Sequence, residues 1–100
     1  MAMDVCVRVP TQLRDLVGGA AVVEVSVVGA ADGMATIATV LDGLAIQHPT
    51  LERRIRDEQG RTRTHVNLFV GSDNIRDRDG QATPIIDGDE VSIIPAVSGG

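Results

Sequence analysis

The sequence has no lysine, no tryptophan and no tyrosine, and cysteine and phenylalanine occur once each. Each shortage excludes something. With a single aromatic ring, a core has to be built from Val, Ile, Leu and Ala. One cysteine excludes an intramolecular disulfide framework and any four-cysteine zinc or iron–sulfur site. All nine basic residues are arginine, so the only amine on the chain is its own N-terminus; compositional drift is enough to account for this. Positive charge is scarce as well. Nine basic against 14 acidic side chains leave a net charge of -5, which argues against a nucleic-acid footprint and suits a partner with a basic docking surface. No apolar run is long enough to span a bilayer, and the N-terminus lacks a basic stretch followed by an apolar one. The chain therefore reads as cytoplasmic, with neither nucleic acid nor membrane as a partner.

What is present suits one globular domain: 100 residues, 43% hydrophobic and 23% charged, enough for one modest core. Residues 3–9 alternate strictly. Met3, Val5, Val7 and Val9 share one face and Asp4, Cys6 and Arg8 the other, a half-buried strand ended by Pro10. Residues 11–19 form a connection with Leu13 and Leu16 tucked inward and Gly18-Gly19 as a turn. Val23, Val25 and Val27 then alternate with Glu24 and Ser26, which suggests an antiparallel hairpin with the first strand. Residues 29–35 read as a loop.

The period then changes. Ile37, Val40, Leu41 and Leu44 stand at i, i+3, i+4 and i+7, one apolar stripe of a helix, with Thr36 as its N-cap and Pro49 as its end. Gly43 inside that helix costs roughly 1 kcal/mol relative to Ala. Leu51 and Ile55 mark a short polar helical turn, followed by an exposed loop at residues 61–64. Residues 65–71 give a third strand, with Val66, Leu68 and Val70 on one face and His65, Asn67 and Phe69 on the other. A turn-rich stretch, a short apolar element at 82–86 and a tight Asp87-Gly88-Asp89 turn lead to a last strand, in which Val91 and Ile93 oppose Ser92 and Ile94. One main helix covering one face of a mixed sheet of four to five strands is a two-layer α+β domain.

Few residues suggest chemistry of their own. Cys6 has no second cysteine or activating base beside it in sequence and reads as a small apolar-like strand residue. The acidic run at 73–79 fails as a calcium loop, because placing Gly80 at its sixth position puts Ile75 first and Ile86 twelfth. His48 and His65 are isolated, so no metal site is expected. No phosphate-binding glycine loop and no nucleophile–base order stands out. No catalytic residue is assigned: the chain does not read as an enzyme.

The end of the sequence is the specific part. The stretch DGDEVSIIPAVSGG, from Asp87 to Gly100, resembles the C-terminus of the bacterial ThiS/MoaD ubiquitin-like sulfur carriers: an acidic turn, a strand, a proline, a short tail and Gly-Gly. VPTQLRDLVGG and HVNLFVG are similar to that family's segment after the first strand and to its central strand. Within the family the look is closest to the carrier of a protein-thiocarboxylate route to cysteine. The resemblance implies a ubiquitin-like β-grasp fold with the last strand between the first and third. It divides the chain into a domain over residues 1–95 and a flexible tail over 96–100.

It also implies a function. An E1-like enzyme adenylates the carboxylate of Gly100 with ATP, and a sulfur nucleophile converts it to a thiocarboxylate. A sulfur-accepting synthase then takes the sulfur for cysteine, molybdopterin, thiamin or a thiolated secondary metabolite. The carrier, a monomer when free, binds no cofactor; ATP belongs to the activating partner. Ala96, Val97, Ser98 and Gly99 would thread the partner's active site. With the last strand central, Cys6, Ile94 and Phe69 become neighbours on the outer face and form a docking patch, unless N-terminal residues or a loop cover Phe69. Two other roles are compatible with such a tail: a protein modifier joined to lysines of other proteins, and a permanently docked small subunit of a synthase.

Overall fold

A computed structural model describes residues 2–28 and 35–95 of the chain. Residues 29–34 of the loop expected at 29–35, and the tail at 96–100, lie outside the described residues; Ala35, expected in that loop, begins a short strand. Strands β1 (Ala2–Arg8) and β2 (Val22–Val28) pair antiparallel, Val5 facing Val25 and Val7 facing Val23. A 3-10 helix, Thr11–Val17, joins them and closes on Gly18 and Gly19 at φ 67 and 86, left-handed values that favour glycine. Leu13 and Leu16 are half-buried against the core.

The expected helix is α1 (Ile37–Gln47). Thr36 and Thr39 cap it reciprocally: the Thr36 Oγ1 accepts the Thr39 N–H, and the Thr39 Oγ1 accepts the Thr36 N–H. Its buried residues are Ile37, Val40, Leu41 and Leu44, as the spacing predicts. Gly43 has a reason to be there. A Cβ built on it would stand 2.9 Å from Val25 Cγ1 and 3.2 Å from the Ser26 carbonyl oxygen. The missing side chain lets α1 lie close on β2. Pro49 does more than stop α1: it opens a second helix, α2 (Pro49–Ile55), as its first residue, where its missing N–H costs nothing. Leu51 and Ile55 point from α2 into the core.

A two-stranded pairing of β3 (Ala35–Thr36) with β6 (Pro84–Ile85) closes the start of α1, where the Ile37 N–H donates to the Thr83 carbonyl at 3.0 Å. The main sheet adds β4 (Val66–Val70), β5 (Asp73–Asn74) and β7 (Glu90–Pro95). Its order is β2-β1-β7-β4-β5, with β7 parallel to β1 and antiparallel to β4. The last strand is therefore central, and the sheet is mixed, with five strands. Its inner face and both helices bury an aliphatic core, in which Val5, Val25, Ile37, Val40, Leu44, Leu51 and Ile55 are fully inaccessible. Each such side chain contributes roughly 1.5–3 kcal/mol. The single phenylalanine takes no part in it.

Candidate functional site

The acidic turn sets up the last strand. Gly88 takes φ 90. The Asp89 carboxylate accepts the Ile86 N–H at 2.9 Å, and the Asp89 N–H donates to the Ile86 carbonyl at 3.1 Å. Asp87 Oδ1 accepts the Asp4 N–H at 3.1 Å, which ties the turn to β1. These bonds start β7 beside β1, and the chain then runs through the middle of the sheet with Val91 and Ile93 buried. It comes to its end at Pro95, opposite Val66. Ala96, Val97, Ser98, Gly99 and Gly100 follow, outside the described residues. Whatever these five residues do, they begin from a strand paired with β1 over residues 90–92 and with β4 as far as Pro95.

The outer face carries the other residues singled out in the sequence. Strand parity places Cys6, Ile94 and Phe69 on it together, but the register breaks up the expected trio. Phe69 faces Ser92, which puts Ile94 on its diagonal. Cys6 faces Glu90 on one side and Glu24 on the other. Four residues of β7 therefore separate its row from that of Ile94, about 13 Å at the strand rise. Arg8, not Cys6, occupies the row of Ser92 and Phe69. Knowing the strand order was not enough; only the stagger of the parallel β1–β7 pair gives the row. Ile94 is 46% exposed and Phe69 half-buried. Around them the face is polar: Arg8 Nε bonds Glu90 Oε1 at 3.2 Å, Ser26 Oγ donates to Asp4 Oδ1 at 3.0 Å, and Asn74 Nδ2 donates to Asn67 Oδ1 at 3.4 Å.

Sequence reasoning missed a cationic region at the start of β4. Arg53, Arg54, Arg63 and His65 line a cleft of about 390 Å³. A larger neighbouring cleft, about 780 Å³, shares Arg53 and Arg63 with it and adds Arg56 and four carboxylates, of which Asp42, Glu52 and Asp57 are engaged by arginines. Arg56 bridges Glu52 at 2.6 Å and Asp42 at 3.0 Å, pinning α2 to α1. Asp57 is held below the usual carboxylate range, chiefly by the Arg61 N–H, with help from the Gln59 N–H and the Arg61 guanidinium. The signal was there to find, since five arginines fall between residues 53 and 65 against two carboxylates. A net charge of -5 hid it. Among the described residues, no group of three or more His, Cys, Asp or Glu side chains is placed to hold a metal, and no helix is long and apolar enough to cross a membrane.

A mixed five-stranded sheet with the last strand central, one main helix across its inner face and a diglycine sequence beyond its final strand define a ubiquitin-like β-grasp protein. The comparisons narrow this further. A model of the ThiS family matches residues 7–100, and the chain belongs to that family. Sulfur carrier protein CysO of Mycobacterium tuberculosis is 36% identical over 100 residues, covering 98% of this chain and all of that protein. Small archaeal modifier protein 3 of Haloferax volcanii is 33% identical over 98 residues, again covering 98% of this chain and all of that one. Among solved structures, a chain of the Amycolatopsis orientalis BexX/CysO complex superposes with a TM-score of 0.79 at 31% identity, covering 96% of this chain and 99% of that one. The family holds both sulfur carriers and ubiquitin-like modifiers, and the relatives of this chain carry names of both kinds.

Proposed function

We propose that this chain is a sulfur carrier loaded at Gly100. An E1-like enzyme transfers AMP from ATP to the Gly100 carboxylate and releases pyrophosphate. A sulfur nucleophile then displaces AMP and leaves a thiocarboxylate, and a synthase takes the sulfur for a biosynthetic product. The catalytic groups and the nucleotide belong to the partners; the carrier supplies the carboxylate and its delivery. Such partners place it in the cytoplasm. The observation that carries this reading is the family match running through residue 100, onto a Gly-Gly that follows a central, doubly paired strand.

The physics of delivery supports it. A carboxylate is a poor electrophile, and an acyl-adenylate free in water would hydrolyse, so the reaction belongs in a closed site. Five extended residues from Ala96 to Gly100 span about 16 Å, and Gly99 and Gly100 carry no Cβ to jam a narrow channel. Pro95 stiffens the point of departure. Ala96, Val97, Ser98 and Gly99 would thread the partner, while Phe69 and Ile94 on the outer face give it an apolar pair to dock on. Cys6, a row away, plays at most a marginal part there. Gly99→Val tests the threading: it should abolish loading while the melting temperature stays unchanged, and normal loading of that variant would contradict the reading.

The small archaeal modifier relatives favour one second reading, a tag joined through Gly100 to lysines of other proteins. Isopeptide-linked adducts in cells would distinguish it. Such a tag could not build chains on itself through side chains, because it has no lysine.

A further inference from the structure

We infer that the cationic cleft formed by Arg53, Arg54, Arg63 and His65 is a second docking site, which receives an acidic rim of the partner beside the mouth that admits the tail; this rests on the tail-loading function proposed above. Position is the first argument. The cleft adjoins the root of the tail: Pro95, the last described residue, pairs with Val66, and His65 and Arg63 lie one and three residues before Val66 on the same segment. A partner that swallows residues 96–100 must bring its channel mouth up to this corner.

The backbone of this corner is also tied in place. Arg76 Nη2 donates to the carbonyls of Arg63 at 3.0 Å, Thr64 at 3.4 Å and Val66 at 2.8 Å, clamping the segment that carries Arg63 and His65. Arg63 Nε donates to the Arg53 carbonyl at 3.0 Å and joins that segment to α2. No carboxylate lines this cleft. Among the described residues, the guanidiniums of Arg53, Arg54 and Arg63 make no ion pair, whereas Arg8, Arg61 and Arg78 each have one and Arg56 has two; Arg14 and Arg76, also without one, donate to backbone carbonyls. Exposed, unpaired guanidiniums carried on a tied backbone match carboxylates presented by another surface.

Chemistry and distance select the occupant. A nucleotide bound at Gly100 would stand about 16 Å away along an extended tail, beyond the reach of these side chains. Nucleic acid would meet a net charge of -5. An acidic protein rim fits, and the excess of carboxylates across the rest of the chain, 14 against the six arginines outside the cleft, disfavours its landing elsewhere. Electrostatic contacts of this kind act on encounter and affinity and weaken with salt.

The test uses the full chain, an E1-like enzyme that loads it, ATP and sulfide, with thiocarboxylate formation followed by intact mass. The double variant Arg53→Glu with Arg54→Glu should raise KM for the carrier about tenfold at low salt and leave kcat within about twofold. High salt should shrink that difference. Arg53→Lys with Arg54→Lys, which keeps the charges, should restore a KM close to the parent's. An unchanged KM in the Glu variant, with its melting temperature preserved, would overturn the docking site while leaving the carrier function standing. A parent chain that gains no sulfur from an enzyme competent on another carrier would overturn the carrier function itself, and the docking site with it.

Discussion

The two faces of the central sheet obey different rules. The inner face is made almost wholly of Val, Ile and Leu, locked against α1 and α2, with Val5 and Val25 of the sheet and Leu44 and Leu51 of the helices inaccessible to solvent. The outer face, from the same strands and the alternate residues, is a polar surface of Arg8, Glu90, Ser92 and Asn67 around one half-buried ring and one exposed isoleucine, with an exposed Val22 beside Arg8. The inner face explains why the chain folds, and nothing on it recognises a partner. Conversely, the chain's one aromatic side chain sits where the fold does not need it. A protein loaded at its tail, as proposed above, has no use for a catalytic cleft. It requires a stable platform on one side and a legible surface on the other.

That contrast can be broken from either side. The largest effect should come from the inner face: Leu44→Ala removes a fully buried side chain from the α1 stripe and should cost about 2–5 kcal/mol in chemical denaturation. The molecules that remain folded should still be loaded. Phe69→Ser should do the opposite, weakening partner binding about tenfold, roughly 1.4 kcal/mol, with a smaller loss of thermal stability. A large drop in melting temperature with normal binding would make Phe69 part of the core. The smallest effect sharpens the packing argument. Gly43→Ala offers about 1 kcal/mol of helix propensity, yet its Cβ would press on the buried, β-branched Val25 and on the Ser26 carbonyl. A net destabilisation is expected by thermal denaturation, and a stabilised variant would show that α1 can lift off β2 at no cost.

The sequence was legible where one periodicity dominates. Alternating valines named β1 and β2, the four-residue stripe named α1, and Thr36 announced its cap. Short elements were not legible. The two-residue strands β3, β5 and β6 are too brief to show a period; β3 and β6 exist only because they pair with each other from far apart in sequence, and β5 only because the chain turns straight back on β4. Pro49 looked like an ending because a proline that stops one helix and one that begins another leave the same local mark. At the site, the central place of β7 followed from family resemblance, and strand parity put Cys6, Phe69 and Ile94 on one face. Register decided which of them touch, and register depends on pairing between residues more than 80 apart, such as Cys6 and Glu90. The cationic corner was overlooked because total charge is a sum, and a sum conceals where the charges sit.

The central claim is that Gly100 carries sulfur. The most direct measurement is the intact mass of the purified chain after incubation with an E1-like activating enzyme, ATP and a sulfide source, beside a chain lacking Gly100. The account predicts a gain equal to exchanging one oxygen for one sulfur in the full chain and none in the shortened one. An unchanged mass for the full chain, with the same enzyme shown to load another carrier, would contradict it.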